Sequence, residues 1–246
     1  MAGLPAWARQ ALAVIDTETT GLHPEAGDRL IEVAVIAFDN GEVSERWSTL
    51  VDPQMPLDAE VTRLTGIQPD DLAGQPTFGA IAPQLLQRLK QRVLVAYNAS
   101  FDRGFLLHEL GRAGLSLPQG SKWLDPLVFA KELQKGQGNH KLGTVAKRLA
   151  VPLEEAHRAA ADAECAGRVL LKLAELLPED YAEVLDMHER WEAVQEAERG
   201  LWKNRQQRGN VRGVPQQGAD QPVDALGPAY AHGDELDPIR FLYKRG

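Results

Sequence analysis

Residues 11–18 read ALAVIDTE, residues 30–38 read LIEVAVIAF and residues 42–51 read EVSERWSTLV. The first two are short apolar segments bounded by polar or turn-forming residues, a pattern typical of β-strands, and the third, which has fewer apolar residues, is also predicted as a strand. Asn40-Gly41 lies between the second and third segments. Asn-Gly between two strand-like segments is a strong signal for a hairpin. The three segments therefore predict an antiparallel meander.

The rest of the chain mixes a further strand with helices. VLVAY at 93–97 has the pattern of a buried strand. Helical periodicity is found at 78–90, 101–113, 124–134, 141–149 and 159–177, and a long helix rich in Glu, Arg and Trp is predicted at 179–207. Strands mixed with helices in this way predict an α/β fold.

The chain is expected to divide into three parts: residues 1–178, a helical extension at 179–208 and a flexible tail at 209–246. The tail is rich in Gly, Pro, Gln and Asp, so it cannot bury enough apolar surface to offset its ordering entropy. It ends in an apolar cluster within DPIRFLYKRG. That cluster either folds back onto the rest of the chain or docks on a partner.

Composition limits the classes of function. The 246 residues include 27 basic and 35 acidic ones, a formal net charge of −8, whereas proteins that coat long nucleic acids are usually basic. A short footprint at a chain end, or bound cations, would still permit nucleic-acid binding. The single cysteine, Cys165, excludes an intramolecular disulfide and a thiolate zinc site. With no signal-peptide pattern and no long apolar run, a cytoplasmic protein without a membrane span is expected.

Several carboxylates occupy unusual positions in these elements. Asp16 and Glu18 end an apolar strand on the same face, which suits either a bound divalent cation or a strand end that reaches solvent. Asp102 falls in the first turn of a helix, where capping is the simple alternative. Asp162 continues the apolar stripe of its helix, where a carboxylate is costly to bury without a partner.

His157 precedes Asp162 by five residues and is the side chain type best suited to exchange a proton near neutral pH. Three or four converging carboxylates suit two hard cations, Mg²⁺ or Mn²⁺. Such a pair of metals holds the attacking and leaving oxygens of a phosphodiester displacement, while a histidine deprotonates the water. These groups together therefore predict a metal-dependent phosphodiesterase site.

VIDTETTGL, then NASFD, then HRAAAD occur in the order found in the DEDDh family of 3′→5′ exonucleases, and the chain resembles that family over residues 11–177. The family includes the proofreading epsilon subunit of bacterial DNA polymerase III. The resemblance implies a ribonuclease H-like mixed five-stranded sheet, its first three strands antiparallel, flanked by helices. Residues 1–178 would then be an exonuclease domain.

The resemblance also implies a role for each matching residue. Asp16, Glu18 and Asp162 would bind the first metal, Asp16 would bridge to the second, and Asp102 would act through the waters of the second. His157 would be the general base. The implied contacts to the terminal nucleotide come from Thr19, Leu22, Asn98 and Phe101.

Thr19 stands where the related oligoribonucleases typically have Met, which favours a DNA 3′ end, single-stranded or frayed, over short RNA. Two alternatives remain: a 3′→5′ exoribonuclease, and an inactive module that binds nucleic-acid ends. If the terminal apolar cluster docks on a partner, a DNA polymerase or a sliding clamp is expected.

Overall fold

The computed structural model describes residues 3–153 and 158–210, the last nine of them by their backbone alone. The described strands form one sheet: β1 (Leu12–Thr19), β2 (Leu30–Asp39), β3 (Glu42–Leu50), β4 (Val93–Val95) and β5 (Trp123–Leu124). The described α-helices are α1 (Ala59–Thr65), α2 (Pro69–Leu72), α3 (Phe78–Leu89), α4 (Ala99–Arg112), α5 (Pro126–Leu133), α6 (Leu142–Arg148), α7 (Ala159–Ala174) and α8 (Tyr181–Asn210). Short 3₁₀ turns cover Ala6–Arg9 and Pro24–Ala26.

The sheet is mixed, with strand order β3-β2-β1-β4-β5. β1, β2 and β3 form the predicted antiparallel meander, and β4 and β5 continue it as parallel strands. Asn40 (φ 55°) and Gly41 (φ 82°) form a two-residue turn between the paired residues Asp39 and Glu42. Positive φ at both positions is what the tight hairpin requires, so Asn-Gly sets the register.

Each face of β1 supports its own apolar core. Leu12 and Val14 point into a core built with α5, α6 and α7. Ala13 and Ile15 point into a second core built with α3 and α4. Because alternate side chains of a strand point to opposite faces, β1 is buried along its whole length.

The sequence misplaced some element boundaries. Leu124 was expected in a helix but lies in β5, because Pro126 occupies the first turn of α5 and Asp125 caps that helix through its bond from the Leu127 amide. The strand predicted at 93–97 ends at Val95. Helices α1 and α2 were not predicted, since each is under two turns and carries little periodicity.

Helix α7 lies unusually close to the sheet. A Cβ on Gly167 would stand 2.5 Å from Phe38 Cε2 and 3.0 Å from Val14 Cγ2. Glycine therefore lets the helix backbone contact β1 and β2 directly. The contact fixes the height of α7 above the sheet.

Helix α8 packs on α5 through buried polar and aromatic groups. His188, which is 3% exposed, accepts a hydrogen bond at Nε2 from the Asp125 amide at 2.9 Å. Gln195 donates to the carbonyl oxygen of Val128 at 3.1 Å, and Trp191 stands edge-on to Phe129. The predicted extension thus includes a helix that satisfies backbone groups of the first part.

None of the described helices has the length and apolar character needed to cross a bilayer. Residues 211–246 lie outside the described part of the chain, and with them the apolar cluster of Ile239, Phe241, Leu242 and Tyr243. Its docking on a partner stays a prediction, as does the division at 178 and 208.

Gly167→Ala is expected to destabilise the fold by about 1–3 kcal/mol, because the added methyl group overpacks the contact with Phe38. Urea unfolding of the purified variant measures this. Gly111→Ala is the matched control, since nothing lies within 4 Å of its Cβ position and alanine favours the helix. Equal stability of Gly167→Ala and wild type would contradict the close packing of α7.

His188 predicts a pH dependence of stability. Burial, and then the charge of Arg103, lowers its pKa to about 4, below the unfolded value of about 6.5. Between these two pH values the unfolded chain therefore binds more protons than the folded chain. The contribution of neutral His188 to the free energy of unfolding is complete above about pH 6.5 and is lost as the pH falls towards 4. The expected loss at pH 4 is about 3 kcal/mol. His188→Gln should remove that slope in urea unfolding, and identical slopes for variant and wild type would show that His188 does not titrate this way.

Candidate metal and nucleic-acid site

The site forms where β1 extends beyond the end of its neighbour β4. β4 pairs only with Leu12–Val14, so the last residues of β1 extend beyond it. Asp16 and Glu18 lie in this extension on the face that also carries Val14, and both are buried. A register irregularity between Glu18 and Thr19 ends the regular pairing with β2, and such bulges redirect side chains beside functional sites.

Helix α7 brings the third carboxylate. Gly167 packs on Val14, and Asp162 lies five residues before it, about 7.5 Å along the helix axis. Asp16 lies two residues beyond Val14, about 6.6 Å along the strand. Helix α7 runs antiparallel to β1, and Asp162 and Asp16 lie at similar distances from the contact between Gly167 and Val14. The side chain of Asp162 therefore lies beside that of Asp16. The buried stripe inferred from the sequence is confirmed at Asp162, which is 2% exposed.

Asp16, Glu18 and Asp162 form a compact buried group in which one carboxylate oxygen from each lies within 4.8 Å of the others. Three like charges at this spacing repel one another and are costly to keep from water. A divalent cation removes both penalties, and carboxylate oxygens are the donors that hard cations prefer. The donor set therefore fits a metal such as Mg²⁺ or Mn²⁺.

Asp102 is fully buried on the opposite face of β1, outside the group of three. Thr17, which lies between Asp16 and Glu18, donates from Oγ1 to Asp102 Oδ1 at 2.9 Å. The hydrogen bond ties the first turn of α4 to the strand segment that carries two of the carboxylates. The metal-related role of Asp102 stays a prediction.

Asn98 begins α4 with a left-handed backbone (φ 66°) and is buried. The amides of Asn98 and Ala99 donate to the two carboxylate oxygens of Asp125 at 2.9 and 2.8 Å. Asp125 thus joins the start of α4 to the end of β5. The sequence analysis missed this residue, although the Asp-Pro pair before a helical segment was a usable capping signal.

The predicted substrate residues lie on two adjacent segments. Thr19 is buried and donates from Oγ1 to the Gly21 carbonyl oxygen at 2.6 Å, and Leu22 is half-buried in the loop that follows. Phe101 is half-buried on α4 against Phe105, with ring centroids 5.0 Å apart. The loop touches α4 near Gly104, one turn from Phe101. The roles of these residues and of Asn98 in substrate binding stay predictions.

His157 lies outside the described residues, so its place relative to the carboxylates is a prediction. Its neighbour Arg158 is the N-cap residue of α7 and reaches Glu32 Oε1 at 3.7 Å. Glu32 pairs with Glu18 across the two strands and is buried, which places a further carboxylate beside the group. The signal for Glu32 was present in the sequence as the one charged residue within LIEVAVIAF.

Cys165 lies one helical turn after Asp162, but it is not a candidate metal ligand. Burial, and then the charge of Asp162, raises the pKa of its thiol to about 12. The thiol therefore stays protonated, and the protonated form neither binds metal nor reacts as a nucleophile.

A family model described as Exonuclease, RNase_T, matches residues 13–170. The 3′-5′ exonuclease DinG of Bacillus subtilis (strain 168) is 34% identical over 169 residues, which are 69% of this chain and 18% of DinG. A PolC-type DNA polymerase III of Bacillus cereus is 35% identical over 166 residues, 68% of this chain and 11% of the polymerase. The chain therefore spans less than a fifth of the length of these curated relatives.

Two solved structures share the fold. Exonuclease X, determined in complex with 5′ overhanging duplex DNA, aligns with a TM-score of 0.59 at 22% identity, covering 72% of this chain and 99% of that one. The nuclease domain of 3′hExo, a DEDDh family member bound to rAMP, aligns with a TM-score of 0.58 at 19% identity, covering 66% and 90%. With the family match across both carboxylate-bearing elements, β1 and α7, this chain belongs to the exonuclease family and is similar to its DEDDh-type members.

Proposed function

We propose that this protein is a metal-dependent 3′→5′ exonuclease that hydrolyses phosphodiester bonds at DNA 3′ ends and releases nucleoside 5′-monophosphates, in proofreading or repair. The observation that carries the proposal is the buried group of Asp16, Glu18 and Asp162 at the end of the central strand. A like-charge group held this close has no packing function, and its donors suit cations that act on phosphodiesters.

Two divalent cations, Mg²⁺ or Mn²⁺, are proposed at this site, the first held by Asp16, Glu18 and Asp162, with Asp102 acting toward the second. Bound there, they would polarise the scissile phosphate and acidify the attacking water. They would also offset the net charge of −8, which otherwise repels a polyanion.

The chain's own residues supply proton transfer and orientation. His157 is proposed to accept the proton of the attacking water. Thr19 and Leu22 are proposed to contact the terminal 3′-hydroxyl and base, while Asn98 and Phe101 shape the pocket from α4. The Thr17–Asp102 hydrogen bond ties the start of α4 to β1 beside the carboxylates.

DNA is the favoured substrate for two reasons. Thr19 replaces the methionine typical of oligoribonucleases, and the relatives include PolC-type DNA polymerase III. RNA is the second candidate, because the 3′hExo nuclease domain was determined with rAMP.

Similarity to PolC also supports a DNA polymerase as a partner. The proposal that Phe241 and its apolar neighbours dock on a polymerase or a sliding clamp rests on the sequence alone.

Asp16→Ala and Asp162→Ala are each expected to abolish turnover, since each removes a metal-binding carboxylate. The assay follows 5′-labelled single-stranded DNA with Mg²⁺ or Mn²⁺, and wild type should shorten it stepwise from the 3′ end. RNA of the same sequence is measured in parallel, and faster degradation of RNA would favour the second candidate.

Calorimetric titration with Mn²⁺ alone and urea unfolding accompany this assay. Both variants should lose Mn²⁺ binding but remain folded, and metal-free Asp162→Ala should be at least as stable as wild type because a like charge is removed. Glu189→Ala, an exposed carboxylate on α8, is the control and should leave all three measurements unchanged. Normal turnover in either aspartate variant would contradict the proposed site.

His157→Ala is expected to lower the turnover rate by roughly 10²–10⁴-fold, the usual effect of removing a general base. The pH–rate profile should also lose its limb near neutral pH, while Mn²⁺ affinity stays unchanged. Loss of Mn²⁺ binding together with activity would show instead that His157 is a ligand.

A further inference from the structure

An ion-pair cluster around the buried Glu109 of α4 joins that helix to the loop that follows β1. Glu109, 2% exposed, accepts hydrogen bonds from Arg29 Nε at 2.6 Å and Arg29 Nη2 at 3.1 Å. Arg112 Nη1 adds a third, to Glu109 Oε1 at 3.0 Å. A two-pronged arginine–carboxylate pair fixes orientation as well as distance. We call Glu109, Arg29 and Arg112 the α4 clamp.

The two arginines extend the α4 clamp to backbone groups of other segments. Arg29 donates from Nη1 to the Pro53 carbonyl oxygen at 3.1 Å. Arg112 donates from Nη2 to the Pro24 carbonyl oxygen at 3.1 Å. One carboxylate therefore joins α4, the loop at 20–29 and the segment after β3.

The loop itself has little freedom apart from the motion of the whole segment. The Thr20 amide donates to the Arg29 carbonyl oxygen, and the Arg29 amide donates to Thr20 Oγ1, both at 2.9 Å. The His23 amide donates to Asp28 Oδ2 at 2.8 Å, and a Cβ on Gly21 would lie 2.3 Å from the same oxygen. The loop is thus hydrogen-bonded within itself, and it is joined to α4 by the side chain of its own Arg29 on Glu109 and by Arg112 on the Pro24 carbonyl oxygen.

The joined segments carry the proposed walls of the nucleotide pocket. Leu22 lies on the loop, Phe101 lies on α4, and Met55 of the segment after β3 contacts Thr20. Glu109 lies two turns along α4 from Phe101 and is enclosed by its arginine partners. It acts through the two arginines and touches no predicted substrate residue in the described contacts.

We propose that Glu109 is a positioning residue that sets the separation of Leu22 and Phe101 and thereby the affinity for the terminal nucleotide. The inference rests on the proposed function, because it assigns those two residues to the nucleotide pocket. It predicts a change in KM rather than in the chemical step, because Asp16, Glu18 and Asp162 are held by β1 and α7, and Asp102 is tied to β1 by its own hydrogen bond from Thr17.

The test is Glu109→Gln, which keeps the shape of the side chain but removes its charge. On single-stranded DNA, KM should rise about tenfold while kcat stays within about twofold, since a pocket wall displaced by a fraction of an ångström weakens binding more than chemistry. Mn²⁺ binding should be unchanged. Hydrogen exchange at the amides of residues 20–29 should accelerate, because the hydrogen bonds within the loop open more often once the loop is no longer held against α4. This readout requires no activity.

Asp39→Asn is the matched control. Asp39, which is more exposed than Glu109, also makes a two-pronged pair, with Arg92 at 3.0 and 3.1 Å, but beyond the other end of β1, about 26 Å from Thr19 along the strand. It should lower stability without raising KM or exchange at 20–29. Arg29→Lys keeps the positive charge but loses the two-pronged contact with Glu109, so it should raise KM less than Glu109→Gln does. If Glu109→Gln fails to fold, Arg29→Lys is used for the test instead.

An unchanged KM with unchanged exchange at 20–29, or a loss confined to kcat, would overturn the proposal. An equal rise in KM for Asp39→Asn would show that the effect of Glu109→Gln is general destabilisation, and this result would also overturn the proposal. Absence of nuclease activity in wild type would instead contradict the proposed function, and the exchange experiment would still decide whether the α4 clamp holds the loop.

Discussion

Repulsion among three buried carboxylates is the constraint around which this structure is arranged. Asp16, Glu18 and Asp162 would separate if the backbone were free to relax, because each gains by reaching water. They stay together because two are fixed in a central strand and the third in a helix that cannot rise from the sheet. The fold thus holds three carboxylates in advance at a spacing that could bind a metal ion.

The two faces of β1 provide this rigidity by different means. On the α7 face the support is apolar contact at backbone distance, made possible by Gly167. On the α4 face an apolar core is supplemented by polar links, through Thr17 to Asp102 and through Asp125 to the start of the helix. Apolar contact resists compression in every direction, whereas hydrogen bonds specify the orientation of the groups that they join.

The sequence was most informative where one residue type admits one local structure. Asn40-Gly41 predicted the hairpin that joins β2 and β3. A carboxylate on an apolar stripe identified Asp162. The sequence was least informative where the deciding partner is distant: nothing near Glu109 in the chain indicates Arg29, and the two-residue strand β5 exists only because β4 pairs with it. Pairings across long sequence separations leave no periodic pattern to read.

The packing of α8 on α5 determines where the folded unit of this protein ends. The family match ends at residue 170, yet the Asp125 amide and the Val128 carbonyl oxygen are hydrogen-bonded to His188 and Gln195. A fragment that ended with the family match would leave those backbone groups without their partners and would remove the rings that pack on Phe129. The hydrogen-bonded unit of this fold therefore extends beyond the matched segment, and a boundary taken from the match would cut through its interior.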